Sequence, residues 1–255
     1  MTTAGTGELA GRVALVTGAS GSVGRSVCRS LAAAGARLVM QYRSSPSGLV
    51  DLRGSDKVRH LAVQADFAAA EWRKVLAGAL ASVGGADIIV NAAHPASGGA
   101  KVGDLDPAVL TAHFAAVVLH TELAALVLPS MREKHWGRIV YVAGALMARP
   151  YSGMGAYGAA KAAGTVLTRY LAIEEGRNGI TANIVAPGRI VDLDKITPPL
   201  DERWQELSAR LLERAALGCF PSPADVAEAV RTLVLPSAAA ITGQTIWVTG
   251  GEPIN

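Results

Sequence analysis

A chain of 255 residues, half of them apolar and only 18% charged, is long enough to bury one substantial core and too apolar to remain disordered. Its formal net charge is +3 and its basic residues are scattered, which argues against nucleic acid or any other polyanion as a partner. The two cysteines, Cys28 and Cys219, lie far apart with no second Cys or His at ligand spacing, so no disulfide framework and no metal site is expected, and both read as buried thiols.

The start of the chain, Met-Thr-Thr-Ala-Gly-Thr-Gly-Glu, lacks the basic and apolar runs of a signal peptide. Val13–Thr17 is a short apolar run of the kind a buried parallel strand shows, and it feeds into a turn with Gly18, Gly21 and Gly24. Helical character follows over Arg25–Ala34, and Gly35 stands where a glycine would end that helix. Strand, turn and helix make half of a Rossmann unit, whose glycines let backbone approach a pyrophosphate and whose helix start favours its charge.

Leu38–Tyr42 is the second strand, and its end is where the adenine ribose lies in such a fold. No Asp or Glu stands there; Arg43 and Ser44 offer a guanidinium and a hydroxyl to a 2′-phosphate, although a solvated arginine fits the same pattern. Ser44 to Asp56 is rich in Ser, Gly and Pro and receives no helix. Leu61–Ala65 is the third strand, followed by Asp66, which suits a helix-start cap, and Phe67.

Asp87–Val90 makes the fourth strand, ending in Asn91, Ala92, Ala93 and His94, and for His94 a packing or solvated role is expected. Asp106-Pro107 starts a long core helix through Leu128, and His120 and Glu122 spoil its Ala115–Leu128 portion as a membrane span. Arg138–Ala143 is the fifth strand, Gly155–Glu175 a helix, and Thr181–Ala186 the sixth strand, closed by Pro187-Gly188 with Ile190 beyond. Val191–Arg214 ends in an amphipathic helix, Ser222-Pro223 caps another through Leu235, and Thr245–Val248 is the last strand.

Within the helix Gly155–Glu175, Tyr157 and Lys161 are four apart, so phenol and ammonium share one face. A free tyrosine titrates near pH 10, about three units too high for efficient acid–base work at neutrality, and an adjacent cation would lower it. Tyr and Lys at this spacing also occur on many ordinary amphipathic helices.

Thr17-Gly18-Ala19-Ser20-Gly21-Ser22-Val23-Gly24, Asn91-Ala92-Ala93, Tyr157 with Lys161, and Pro187-Gly188 occur in the order found in the short-chain dehydrogenase/reductase family, which the chain resembles from Gly11 to Gly251. The resemblance implies a Rossmann-type, doubly wound α/β fold with a mainly parallel seven-stranded sheet and helices on both faces. It implies one NADP(H)-binding domain over residues 1–255, with 191–216 covering the substrate. The cofactor residues it implies are Gly18, Ser20, Gly21, Val23, Gly24, Arg43, Ser44, Asp66, Phe67, Asn91, Ala92, Ala93, Tyr157, Lys161, Pro187, Gly188 and Ile190. Asp66 would hold the adenine amino group. Tyr157 would donate a proton, while Lys161 would bind the nicotinamide ribose and lower the phenol pKa.

The sequence also departs from the family pattern. The glycines read Gly-x-x-Gly-x-x-Gly, as in the family's extended members. The family's asparagine is absent, whether its place is His113 or Ala116, and its loss should weaken the proton relay behind the lysine. Gly144 stands thirteen residues before Tyr157, where the family has its catalytic serine, and Asp192 stands where it has a threonine near the cofactor. Ser152 is a serine on the run towards Tyr157. The expected function is a cytoplasmic NADPH-dependent reductase of a small-molecule carbonyl or imine, a homodimer or homotetramer with no membrane or nucleic-acid partner. The alternative is a non-redox cyclase, isomerase or dehydratase, or an NADP-sensing module.

Overall fold

The computed structural model describes residues 7–52, 60–95, 99–192 and 202–252. Its strands are β1 (Val13–Thr17), β2 (Arg37–Tyr42), β3 (Leu61–Gln64), β4 (Ile88–Asn91), β5 (Gly137–Val142), β6 (Ile180–Pro187) and β7 (Thr245–Val248). Its α-helices are α1 (Ser22–Ala33), α2 (Trp72–Ala81), α3 (Pro107–Glu133), α4 (Gly155–Glu175), α5 (Glu202–Arg214) and α6 (Pro223–Val234). The seven strands form one parallel sheet in the order β3-β2-β1-β4-β5-β6-β7.

The period of two in the strands explains the layers. Ala14, Val16, Leu38, Met40, Ile88 and Val90 point to one face and pack with α1 and α6. Their neighbours Val13, Leu15, Val39, Ile89 and Ile139 point to the other and pack with α2 and α3. Burial on both faces is why these strands read as unbroken apolar runs. The doubly wound α/β expectation is met, and each predicted strand is present within two residues at either end.

The strand order reverses between β1 and β4, so the crevice where ligands bind in such sheets opens beside Thr17 and Asn91.

Several expectations need correction. Helix α2 had been given no place; its buried face is Trp72, Leu76 and Leu80, an i, i+4, i+8 stripe in a segment otherwise too exposed to show a strong pattern. Helix α3 runs past Leu128 to Glu133 with Pro129 inside it, because the single backbone bond a proline removes falls in the last two turns. By length and composition α3 would pass for a membrane span, yet Leu119, Leu123, Val127, Leu128 and Met131 are buried in the core. Cys28 is buried, and burial pushes its thiol up to about 12, but Cys219 is exposed. Val50–Leu52 forms a short 3-10 turn, while 53–59 of the loop after β2 and 193–201 of the covering segment lie outside the described residues.

Candidate active site

The glycine turn is built by distances that leave no room for side chains. Gly18 has φ +63, a left-handed conformation that favours glycine, and a Cβ on Gly24 would lie 2.2 Å from the Gly18 carbonyl oxygen. Helix α1 then starts at Ser22 with no side-chain cap, so the backbone N–H groups of its first turn remain available to an anion. Val23 packs on the core beneath the turn.

A residue the sequence did not single out fixes this turn. The buried Gln41 accepts from the Gly18 N–H (2.8 Å) and donates to the Ala65 carbonyl (2.6 Å), tying the turn to the end of β3. Its only signal was a lone amide inside an apolar strand. Arg43 and Ser44 lie exposed just past β2, Asp66 is exposed and accepts from the Ala68 N–H (3.0 Å), and the Phe67 ring packs edge-on against Trp72. Asp66 therefore closes a local turn and does not cap α2, which starts six residues later at Trp72.

Asn91 faces inward. Its Oδ1 accepts from the Thr17 hydroxyl (2.8 Å), and its Nδ2 lies 3.2 Å from His120 Nδ1. With Oδ1 occupied, the amide N–H points at His120, so Nδ1 accepts and the imidazole proton sits on Nε2. That nitrogen lies 3.0 Å from Thr168 Oγ1, whose own hydroxyl donates to the Gly164 carbonyl (2.8 Å). Burial, reinforced by the Lys161 charge, lowers the His120 pKa to about 4, so the ring is neutral and the ladder complete. His120 and Thr168 carried only the faint signal of polar residues on apolar helices.

Tyr157 and Lys161 leave α4 together, as their spacing requires. Lys161 is buried, donates Nζ to the Val142 carbonyl (2.7 Å), and lies 5.7 Å from the Tyr157 ring centre and 5.0 Å from that of Tyr141. Burial acts on both groups. Burial pushes Tyr157 up to about 12 and pulls Lys161 down to about 7, so the lysine loses part of the charge that would have lowered the phenol. The phenol is held in its neutral form.

Two histidines pack on that phenol. His94 meets Tyr157 edge-on at 5.1 Å between ring centres, and its Nε2 lies 3.0 Å from His113 Nδ1. Burial, then the Lys161 charge, then His113 lower the His94 pKa to about 3; burial and Lys161 also lower that of His113. His94 thus packs inside the site, as one of its two expected roles allowed, while Ala116 is simply core.

Gly144 stands directly against the phenol, where a Cβ would lie 2.6 Å from Tyr157 Oη. Its φ of −176 is ordinary extended backbone, so space and not conformation demands the glycine. Asp192, the misplaced anion of the sequence, is paired with Arg25 of α1 at 3.5 Å. Ser152 is exposed in a turn, and the cavity wall there is made by Tyr151 and Met154 instead.

Tyr157, Gly144, Pro187 and Gly188 line a cavity of about 430 Å³ whose far wall is α5. Ile190 is half-buried beside it against the core. The site therefore joins a backbone cradle for an anion, a neutral buried phenol and an open cavity that the phenol lines and the two histidines do not.

A family model described as enoyl-(acyl carrier protein) reductase matches residues 18–252. The 3-oxoacyl-[acyl-carrier-protein] reductase FabG of Vibrio cholerae is 31% identical over 253 residues, covering 96% of this chain and 98% of the relative. The 7alpha-hydroxysteroid dehydrogenase of Escherichia coli is 28% identical over 250 residues, 96% of this chain and 95% of the relative. A short-chain type dehydrogenase/reductase from Mycobacterium ulcerans has the same fold, with a TM-score of 0.83 at 23% identity, covering 95% of this chain and 90% of that one.

Proposed function

This chain belongs to the short-chain dehydrogenase/reductase family, and from that premise we propose that it is an NADPH-dependent reductase of a carbonyl or imine on a small molecule, with Tyr157 as proton donor. The observation that carries the reading is the neutral phenol at the cavity wall, which it lines together with Gly144 and Pro187-Gly188. Relatives named as oxoacyl reductases support a ketone as the reacting group.

The residues suit the cofactor. Gly18, Ser20, Gly21, Val23 and Gly24 with the uncapped start of α1 would hold its pyrophosphate, and Arg43 with Ser44 its 2′-phosphate. Asp66 and Phe67 would border the adenine, while Asn91, Ala92, Ala93, Lys161, Pro187, Gly188 and Ile190 would border the nicotinamide half. Bound there, NADPH would supply hydride-transfer chemistry to a carbonyl held in the cavity. Tyr157 gives its proton to the carbonyl oxygen as negative charge develops there, and is reprotonated from solvent. Lys161, with its pKa near neutrality, is suited to passing that proton inward. The reading includes a single domain with residues 191–216 over the substrate, a cytoplasmic setting and a homo-oligomer.

NADPH oxidation by absorbance tests it. Tyr157→Phe should lower kcat/KM roughly 10²–10⁴-fold with NADPH affinity kept, the span for losing a general acid. Arg43→Ala should weaken NADPH roughly tenfold or more while leaving NADH unchanged, since a hydrogen bond to a charged group contributes ~1.5–3 kcal/mol. Equal affinity for both cofactors in the unaltered protein overturns the NADP preference. NADPH binding with no oxidation of any ketone or imine leaves the non-redox reading, for which the missing hydroxyl at Gly144 is the supporting observation.

A further inference from the structure

We propose that the cavity beside Tyr157 takes a substrate with an apolar body and an anionic group, a carboxylate or a phosphate ester, which Arg189, Arg210 and Arg214 hold. This deepens the reductase reading, on which it rests for the position of the reacting carbonyl. The cationic groups of the cavity wall fall into two kinds. Arg149 is committed to Glu252, a carboxylate buried almost completely at the far end of the chain, and that pair is part of the fold. Among the described residues, Arg189, Arg210 and Arg214 have no carboxylate within 4.0 Å, as is true also of Arg29, Arg43, Arg138, Arg169 and Arg177, but these three line the cavity.

Arg189 carries the argument furthest. It follows Gly188 directly, its guanidinium lies over the Phe220 ring at 5.4 Å, and its Nε is buried with no acceptor among the described residues. A buried cationic donor left without an acceptor costs several times what a solvated one does, and an anionic ligand would relieve that cost. Burial also lowers the Arg189 pKa, the direction expected of a charge lacking its counter-ion.

Helix α5 adds the second element. Residues 206, 210 and 214 recur every fourth position, so Glu206, Arg210 and Arg214 lie along one stripe with Leu207 and Leu211 beside them. Glu206 is the one carboxylate among the described lining residues and stands at the end of the stripe away from Arg214. Three unpaired guanidinium groups against one carboxylate leave the wall cationic. Leu207, Leu211, Leu146 and Met154 make the rest of it apolar. Arginine forks suit carboxylate and phosphate alike, so the two sources share one chemistry.

The test uses the full chain saturated with NADPH, so the cofactor's own phosphates cannot compete. Reduction of 4-oxopentanoate is compared with that of its methyl ester, and of dihydroxyacetone phosphate with that of dihydroxyacetone. The anionic member of at least one pair should be favoured roughly tenfold or more in kcat/KM, and raised salt should shrink the preference. Which pair responds identifies carboxylate or phosphate. The Arg189→Gln/Arg210→Gln/Arg214→Gln variant should lose the preference while NADPH affinity is unchanged, and Arg189→Lys should keep part of it. Calorimetry with 4-oxopentanoate and dihydroxyacetone phosphate reads binding without turnover.

Binding of an anion that the triple variant abolishes, with no reduction of any compound, supports the anion site and counts against the reductase reading alone. Equal reduction within both pairs, or faster reduction of the neutral members, overturns the anion site and leaves the reductase reading intact. Loss of NADPH affinity in the triple variant shows that the arginines serve the cofactor and overturns the proposal. So does the absence of both binding and reduction.

Discussion

Gly144 is held as a glycine by the closeness of the Tyr157 phenol. A Cβ there would lie 2.6 Å from Tyr157 Oη, so even alanine forces the ring to move. A serine here, as the family resemblance would suggest, would add a donor to the developing oxyanion, an effect of about 10²–10³ in hydrolase oxyanion holes. In this chain the displacement of the phenol opposes that gain, and misplacing a reacting group by ~1 Å can itself cost about 10². We therefore expect Gly144→Ala and Gly144→Ser to lower NADPH oxidation by similar factors, roughly tenfold to a hundredfold. Absorbance assays on both variants with one activated ketone check this. A Gly144→Ser enzyme faster than the wild type would show that Tyr157 yields easily and that only polarisation was missing.

The ladder through His120 couples four elements, β1 through Thr17, β4 through Asn91, α3 through His120 and α4 through Thr168. It feels the Lys161 charge and ties together the ends of β1 and β4. Its folded pKa is lowered from 6.5 to about 4, so between those values the unfolded chain binds a proton that the folded protein does not. Stability from this group is therefore complete above about pH 6.5 and is lost progressively as pH falls towards 4. The full loss is on the order of 3 kcal/mol. His120→Gln can accept from Asn91 and donate to Thr168 but cannot titrate. Urea denaturation at pH 7 and pH 5 should show the wild type losing more stability than this variant, by ~1–2 kcal/mol. An identical pH dependence in the two proteins would mean that His120 is already accommodated as a cation. His94 and His113 are shifted in the same direction and remain in both proteins, so the comparison isolates the ladder.

For the molecule as a whole, the outward faces of α3 and α4 are unusually apolar. Phe114 and Val118 on α3, and Val166, Tyr170 and Ile173 on α4, are exposed at helical spacing, with Ile173 80% accessible. Between the two helices runs a groove lined by Ala124, Ala125, Leu128, Leu167 and Tyr170. Two-fold pairing of this face with itself would make a four-helix interface and cover the patch. We propose that the chain self-associates there. Light scattering should give a dimer or tetramer at micromolar concentration, and Ile173→Glu should shift it towards monomer with the far-ultraviolet spectrum unchanged. A wild-type monomer would set the proposal aside.

Strand positions, the glycine turn and the pairing of Tyr157 with Lys161 were legible in the sequence because each follows from local periodicity or spacing. Strands buried on both faces read as apolar runs, and two side chains four apart on a helix must share a face. Helix α2 was not legible, since its buried stripe is only Trp72, Leu76 and Leu80 and the rest of it faces solvent. Nor was the sign of the phenol's pKa. Spacing brings the lysine close, but burial depends on what β5, α3 and the loop bearing His94 place around it, and burial is what raises the phenol and lowers the ammonium. The sequence also left Gln41 and His120 as isolated polar letters, and it could not show what stands against Gly144. The packing decided both, bringing polar groups distant in the chain into hydrogen-bonded contact and setting Tyr157 where a side chain at position 144 would need to stand.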